Sequence, residues 1–313
     1  MDDLAALHPH GLFLRGEALE LGYKDRDLVV ARAAGVIQRV RHGAYIAAPT
    51  WQAASPEEQF RLRGQAVMLS HGETIALSHT SGAAALGLRL WDADFTRVHV
   101  TRLDKGSARC HQDVVYHTAR WTPDDIIAVE ETLVLSPARS ALGAAGLQRV
   151  EGGLVVLDSV LDLDLASPDE LRAAYELIKG GPRTASLQIT MRLVEPGSQS
   201  AGESRARYLC FSQHLPKPML QFAVYDGAEL VGITDFAWPD HRLLGEFDGR
   251  IKYGRLLKPG ETAQEAVYRE KLREDALREI TGYGLIRLTW ADLARPTVTG
   301  ARIRSKLWTP AAA

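Results

Sequence analysis

The sequence predicts an α/β protein of several domains, and three observations support this prediction. The chain has 313 residues, which is long for a single hydrophobic core. Both helical and strand-like patterns occur along it. A Glu-Pro-Gly-Ser stretch at residues 195–198 has the composition of a linker. We therefore expect domains at residues 1–50, 51–195 and 200–313.

Composition and charge narrow the classes of protein. A hydrophobic content of 46% and a charged content of 24% are ordinary for a folded soluble protein. The formal net charge is −2, so any nucleic-acid surface would have to be a local basic patch. Cys110 and Cys210 fit a reducing compartment and have no metal-ligand spacing. We see no secretory signal and no apolar run of 18 residues, and therefore expect a cytoplasmic location and no membrane partner.

The first domain shows the order of a winged helix-turn-helix. Two helical patterns each end at a glycine, and two short alternating segments then flank a His-Gly turn. The predicted elements are helices at 11–21 and 25–34 and strands at 36–41 and 44–46.

The charge of this segment suits DNA. Between Arg32 and His42 there are three arginines, one histidine and no acid, as a recognition helix and wing near phosphates would require. The alternative is a plain helical hairpin with solvated arginines. The predicted DNA-binding residues are Arg26, Arg32, Arg39, Arg41 and His42.

The sequence predicts a mixture of helices and short strands for the middle domain. Capping boxes beginning at Ser55 and Ser167 open two helices, each with proline at the first helical position. Residues 98–101 and 114–117 alternate like strands. His79, Arg139 and Asp158 could form a polar site here, although satisfied core or capping roles are the favoured explanation.

For the third domain, the sequence predicts a mixed sheet flanked by helices. A helix opens near Ser200, Asp226-Gly227 joins two strands in a hairpin, and a third strand follows. A long polar helix at 261–281 then leads to a strand at 284–290. Because a crossover helix usually returns a parallel strand, the last strand should run parallel to its neighbour.

The most informative segment of this domain is ITDFAWPDHRLLGEFD, residues 233–248. If residues 239–242 close an antiparallel pair, Trp238 faces Leu243, which places Asp235 opposite Glu246. Asp248 then points to the same face as Glu246. Three carboxylates on one face of a buried-looking hairpin require a positive partner, and a hard divalent cation such as Mg²⁺ or Mn²⁺ is the simplest candidate.

Further residues complete this candidate site. Glu203 lies on the preceding helix and could be a metal ligand, although a capping role with Ser200 explains it as well. Lys252 could orient the attacking water or hold a phosphate. The alternative for the three acids is a solvated sheet face, which the flanking apolar residues disfavour. The predicted catalytic residues are Asp235, Glu246, Asp248 and Lys252, and the predicted metal ligands are Glu203, Asp235, Glu246 and Asp248.

Five stretches of the third domain follow a known order and spacing: residues 202–205, 235–243, 245–249, 273–277 and 285–293. On these stretches the domain resembles the Vsr-like endonuclease branch of the PD-(D/E)xK nuclease superfamily. The resemblance implies a restriction-endonuclease-like fold and a magnesium-dependent nuclease core in which Asp235 and Glu246 bind metal. The superfamily lysine two residues after the second acid is here Asp248, which leaves the lysine's role to another residue.

Five short stretches of the first two domains carry a second resemblance: residues 35–45, 77–84, 98–101, 135–142 and 158–161. On these stretches the two domains resemble the antitoxin of type IV AbiE toxin–antitoxin (abortive infection) systems. In that family the winged helix represses the system's own promoter, so the resemblance implies a repressor and a cognate toxin as partner. The usual aspartate after Ala141-Leu142 is replaced by Gly143.

Two functions follow as expectations. The first is a DNA-binding protein with a fused magnesium-dependent endonuclease domain, in prokaryotic defence or toxin–antitoxin function. The second is an AbiE-type antitoxin and transcriptional repressor whose nuclease-like domain has lost catalysis. A third, an antitoxin that neutralises a toxin by contact alone, belongs to the same resemblance.

Overall fold

The chain forms two units in the computed structural model, which describes residues 2–104, 106–111, 113–181, 185–249 and 262–308. The N-terminal unit is Met1–Arg192 and the C-terminal unit is Leu193–Ala313. This division lies next to the predicted linker at 195–198, and the first two predicted domains share the N-terminal unit. Helices and strands occur in both units, so the protein is of mixed α/β class.

The first fifty residues combine short helices with a three-stranded sheet of order β1-β3-β2. The β2–β3 pair is antiparallel and closes through Gly43, whose φ of +77° suits glycine. The helices are α1 (Asp2–Ala5), α2 (Arg15–Glu20), α3 (Asp25–Ala33) and α4 (Ala48–Ala53), and the strands are β1 (Phe13–Leu14), β2 (Ile37–Arg41) and β3 (Ala44–Ala47).

The rest of the N-terminal unit surrounds a six-stranded mixed sheet of order β6-β7-β5-β4-β9-β8. Its strands are β4 (Ile75–Leu77), β5 (Val98–Arg102), β6 (Arg109–Cys110), β7 (Val114–His117), β8 (Ile126–Val129) and β9 (Thr132–Leu135). Its helices are α5 (Pro56–His71), α6 (His79–Ala85), α7 (Pro137–Gly146), α8 (Val150–Asp162), α9 (Pro168–Ile178) and α10 (Ala185–Leu193).

The predicted capping boxes are confirmed. The Ser55 amide donates to the Glu58 carboxylate at 2.6 Å, and the Glu58 amide donates back to Ser55 Oγ at 3.3 Å. Ser167 and Glu170 repeat this exchange at the start of α9. Each box satisfies amide groups that the first helical turn leaves without a backbone acceptor.

The C-terminal unit is a four-stranded sheet of order β10-β11-β12-β13 between helices. The first three strands are antiparallel neighbours and β13 runs parallel to β12, as predicted. The strands are β10 (Met219–Asp226), β11 (Glu229–Trp238), β12 (Leu243–Asp248) and β13 (Gly284–Thr289). The helices are α11 (Ala201–Ser212), α12 (Ala263–Thr281), α13 (Trp290–Leu293) and α14 (Pro296–Leu307).

Alternation along β11 and β12 separates two cores. Phe236, Trp238 and Phe247 pack with residues of α11 and α14. Ala237 and Leu244 pack instead with Leu277 of α12. Because side chains alternate along a strand, the acids at 235, 246 and 248 belong to the face that α12 covers.

One sequence prediction concerns membranes. Among the described residues, none of the helices combines the length and the apolar character that crossing a bilayer requires.

Candidate functional site

The β11–β12 pair sets the geometry of the candidate site. Its register matches Trp238 with Leu243 and Phe236 with Gly245, as the sequence predicts. One step further along this register brings Asp235 beside Glu246. We call Asp235, Glu246 and Asp248 the acidic face.

Asp235 is held by the neighbouring strand. Its Oδ2 atom accepts a hydrogen bond of 2.7 Å from the backbone amide of Phe247. Phe247 in turn is 2% exposed and packs edge-on against Trp290, with ring centroids 4.9 Å apart. The carboxylate of Asp235 is therefore fixed to a rigid part of the sheet, next to Glu246.

Arginines neutralise Glu246, which is only 8% exposed. Arg273 of α12 donates through Nη2 to Glu246 Oε1. Arg287, which is in register with Glu246 on β13, lies with Nη2 3.5 Å from Oε2. Arg273 also binds Glu270, and Arg287 lies 3.4 Å from Glu274. Both arginines thus join β12 and β13 to α12 through an ion-pair network.

Burial has the largest effect on the pKa of Glu246. Loss of water raises the pKa of Glu246 above its ordinary value, the charge of Arg273 opposes that rise, and Asp235 and Glu270 add to it. Conversely, hydrogen bonding to Glu270 raises the pKa of Arg273.

Of the two remaining predicted catalytic residues, Asp248 and Lys252, the structure describes only Asp248. Asp248 lies at the end of β12, in register with Thr289. Burial lowers the pKa of Arg287, but the charges of Glu274, Glu246 and, to a smaller extent, Asp248 raise it above its ordinary value. Lys252 lies outside the described residues. Within the described ranges, no group of three or more histidine, cysteine, aspartate or glutamate side chains is arranged to hold a metal ion.

Glu203 caps the start of α11. It is 3% exposed, and its carboxylate accepts hydrogen bonds from Ser200 Oγ at 2.7 Å and from the Gln199 amide at 2.8 Å. The capping interpretation of Glu203 is therefore confirmed. Gln221 Nε2 lies 3.4 Å from the same carboxylate. Gln221 occupies the position of β10 opposite Asp235, with a φ of +47° that interrupts the pairing there.

The sequence predicted no role at this site for Arg273, Arg287, Glu270 and Gln221, although Arg273 and Arg287 lie in the stretches that carry the endonuclease resemblance. Arg273 is 27 residues from Glu246 along the chain. The pattern of the α12 sequence assigns its arginines to a solvated face, and only the packing of that helix on the sheet brings one to Glu246. For Arg287, the parallel pairing of β13 with β12 could have indicated its position, because that pairing places Arg287 beside Glu246.

The predicted DNA-binding residues divide into two groups. Arg26, Arg32, Arg39 and His42 are exposed, and Arg39 Nη2 lies 2.8 Å from His42 Nδ1 at the β2–β3 turn. Arg41 differs, because its side chain is 15% exposed and Nε donates to Asp113 Oδ2 at 2.9 Å. Arg41 therefore binds the rest of the N-terminal unit.

Of the three middle residues suggested as a polar site, two line a cleft and the third is buried. Asp158 is fully buried in α8. His79 and Arg139 instead line one cleft, and Arg139 Nη1 donates to Asp125 Oδ2 at 2.7 Å. Gly143 has a clear structural reason, because a Cβ atom there would lie 2.9 Å from the ring of His79.

Comparisons with known proteins locate no function. No protein-family model matches the chain. It is 27% identical over 180 residues to two uncharacterized proteins of Mycobacterium tuberculosis, MT2308 and Rv2248, over 57% of this chain. The match spans 63% of the length of those relatives. The crystal structure of the RV2827C protein from the same species aligns with a TM-score of 0.40 at 15% identity, over 72% of this chain and 86% of that one.

Proposed function

We propose that this protein binds DNA and that its C-terminal unit is a Vsr-like, magnesium-dependent endonuclease domain. The observation that carries the proposal is the pairing of β11 with β12, which sets Asp235 beside Glu246 on one sheet face. Two adjacent carboxylates are the ligands that hard divalent cations prefer. Asp248, two residues beyond Glu246, belongs to the same face of the strand.

The N-terminal residues support the DNA-binding half of the proposal. The order of elements from α2 to β3 and the sheet order β1-β3-β2 suit a winged helix-turn-helix. Exposed Arg39 lies on β2 and exposed His42 in the β2–β3 turn, where a wing would approach the phosphate backbone. Arg26 and Arg32 lie exposed on α3, which would enter the groove.

The acids suit magnesium by their chemistry, and bound magnesium would polarise the phosphodiester. Arg273 already neutralises Glu246, so a cation has to compete with that arginine for the carboxylate. The residues of this chain supply three things: Asp235 held by the Phe247 amide, Glu246 kept out of water, and Asp248 near the strand end. Lys252, outside the described residues, is proposed to hold a phosphate.

The arginine network also favours a second function. If Arg273 and Arg287 replace the metal permanently, the C-terminal unit is a nuclease-like fold without catalysis. The protein is then an AbiE-type antitoxin and repressor that binds its own upstream DNA, with a cognate toxin as partner. The Arg273–Glu246–Arg287 contacts are the observation that supports this reading.

A cleavage assay tests the enzyme. Full-length protein is incubated with plasmid DNA with and without Mg²⁺, as wild type, as Asp235→Ala and as Asp240→Ala. Asp240 is an exposed acid of the 239–241 turn and serves as the matched control. We expect cleavage by wild type and Asp240→Ala alone, and equal DNA binding by all three proteins. Undiminished cleavage by Asp235→Ala would exclude the proposed site.

A gel-shift assay on the protein's own upstream DNA separates the second function. Specific binding without cleavage at any magnesium concentration supports the repressor. Arg39→Ala should weaken binding about tenfold through loss of a phosphate contact. Arg172→Ala, an exposed arginine on α9 paired with Asp169, should leave affinity unchanged. Equal affinity of the Arg39 variant and wild type would remove the β2–β3 turn from the DNA interface.

A further inference from the structure

A large cleft in the N-terminal unit is lined by none of the residues assigned above to DNA binding or hydrolysis. It has a volume of about 1150 Å³, which exceeds the usual range for a small-molecule pocket. Its walls come from β6, β7, the segment that follows β7, the helix α7 and the end of α9. We call it the basic cleft, because of the side chains described next.

Four cationic side chains and one carboxylate line the basic cleft within the described part of the chain. The carboxylate is Asp125, and Arg139 neutralises it. Lys179 pairs with Glu176 at 3.2 Å. Arg109 and Arg120 are both exposed and form no ion pair with any described residue. The cleft therefore has an excess of positive charge that its own acids do not neutralise.

Imidazoles extend this polar wall. His117 lies 2.9 Å from His99 between Nε2 and Nδ1, and it stacks on His79 with ring centroids 3.7 Å apart. We call these three side chains the histidine row. His79 and His117 line the cleft, whereas His99 is 8% exposed behind them. Gly143 on α7 leaves the space that the His79 ring occupies.

Aromatic and apolar groups line the rest of the cleft. Trp121 is 36% exposed at its wall, one residue from Arg120. Arg109 lies over the ring of Tyr116, 4.6 Å from its centroid, which holds the guanidinium at the wall. Leu177 of α9 is 75% exposed on the same lining. An inorganic anion would use none of this apolar surface, whereas a planar base would stack on an indole ring.

We infer that the basic cleft binds a nucleoside phosphate. The phosphates lie against the guanidinium groups of Arg109 and Arg120 and the edge of the histidine row, and the base packs on Trp121. Arginine binds phosphate oxygens in a bidentate manner, and an exposed indole accepts any base with little selectivity. This site is independent of the endonuclease and repressor functions, since it shares no residue with either.

Isothermal titration of the full-length protein with adenosine 5′-triphosphate tests the inference, with pyrophosphate and adenosine as partial ligands. We expect saturable binding of the triphosphate and at least about tenfold weaker binding of each partial ligand. Arg109→Ala and Arg120→Ala should each weaken triphosphate binding about tenfold or more. Arg172→Ala, on the exposed side of α9, should bind like wild type.

Three results would overturn the inference. They are the absence of triphosphate binding at millimolar concentration, binding that both arginine variants retain in full, and pyrophosphate affinity equal to that of the triphosphate. The last result would leave an anion site without a base pocket. A single-stranded oligonucleotide that binds through Arg120 while the free triphosphate does not would likewise replace this ligand with a nucleic-acid strand.

Cys110 supplies a second readout that needs no substitution. It is exposed and lines the cleft, whereas Cys210 is buried in the C-terminal unit. Bound triphosphate should slow alkylation of Cys110 several-fold and leave Cys210 unmodified, as measured by mass spectrometry. An unchanged alkylation rate of Cys110 at saturating triphosphate would place the ligand elsewhere.

Discussion

The acidic face and the basic cleft are both clusters of charge, but they handle that charge differently. On the acidic face, Glu246 is buried and two arginines from other elements neutralise it. In the basic cleft, Arg109 and Arg120 stay exposed and unpaired within the described residues. A buried charge has to be paired because desolvation is costly, whereas an exposed charge does not. The buried charge of Glu246 is therefore already compensated by the protein, whereas the charges of the basic cleft are available to a ligand.

The largest expected effects come from substituting Gly202 and Gly143, because each of these glycines leaves space for a neighbouring ring. A Cβ atom at Gly202 would overlap the Phe247 ring, which is 2% exposed and cannot move into solvent. Gly202→Ala should therefore cost about 3 kcal/mol of unfolding free energy, near the upper end of the usual range for overpacking. Gly143→Ala should cost less, because the His79 ring that it meets lines an open cleft. Urea unfolding measures both.

Gly16→Ala is the matched control for these variants. Gly16 lies in α2 with open space around the position of a Cβ atom, so alanine should be neutral or slightly stabilising there. A Gly143→Ala variant that loses as much stability as Gly202→Ala would mean that the cleft is packed as tightly as the sheet.

The second prediction compares one arginine from each region. Arg273→Ala leaves buried Glu246 with only the more distant Arg287, and it should cost about 2 kcal/mol. Arg120→Ala removes an exposed, unpaired charge and should change stability by less than about 0.5 kcal/mol. Urea unfolding of both variants gives the comparison.

Adding magnesium extends this test to the proposed metal site. If the acids bind the cation once Arg273 is absent, Mg²⁺ should raise the unfolding free energy of Arg273→Ala more than that of wild type. Adding Asp235→Ala should abolish that gain. Equal magnesium responses in wild type and Arg273→Ala would show that Arg273 does not exclude the cation.

The contrast also explains how far the sequence alone could reach. The register of Trp238 with Leu243 and the parallel return of β13 followed from a short loop and from crossover topology, and both are confirmed. Those features are local or depend on general rules of chain connection. The match of Glu246 with Arg273 depends instead on how α12 lies across the sheet, which no local pattern records.

The basic cleft was harder still to foresee. Its sheet contains strands of two to four residues, such as β4 and β6, which are too short for an alternating pattern to be recognised. His99 and His117 become neighbours only because β5 and β7 pair in parallel. Gly143 appeared as an unexplained departure from the family pattern, and the ring of His79 now accounts for it.

The third prediction concerns pH. The folded-state pKa of Glu246 lies above its ordinary value of 4.5, so the folded protein holds that proton more tightly than the unfolded chain does. Stability should therefore fall as pH rises from about 4.5 through the raised pKa, by the linkage between proton binding and folding. Glu246→Gln should remove this contribution to the slope, whereas Glu229→Gln, at an exposed position on β11, should retain it. An unaltered slope in Glu246→Gln would mean that the carboxylate is not desolvated.

The smallest expected effect compares the two cysteines. Cys110 is exposed at the basic cleft, so alkylation there should change the unfolding free energy by less than about 0.5 kcal/mol. Cys210 lies on α11 in the core beneath the sheet, and burial raises the pKa of its thiol to about 12. Its thiolate is therefore scarce at pH 8, and alkylation requires the C-terminal unit to open. Mass spectrometry should find one adduct on the native protein and two in urea. A second adduct on the native protein would show that the core around Cys210 opens under native conditions.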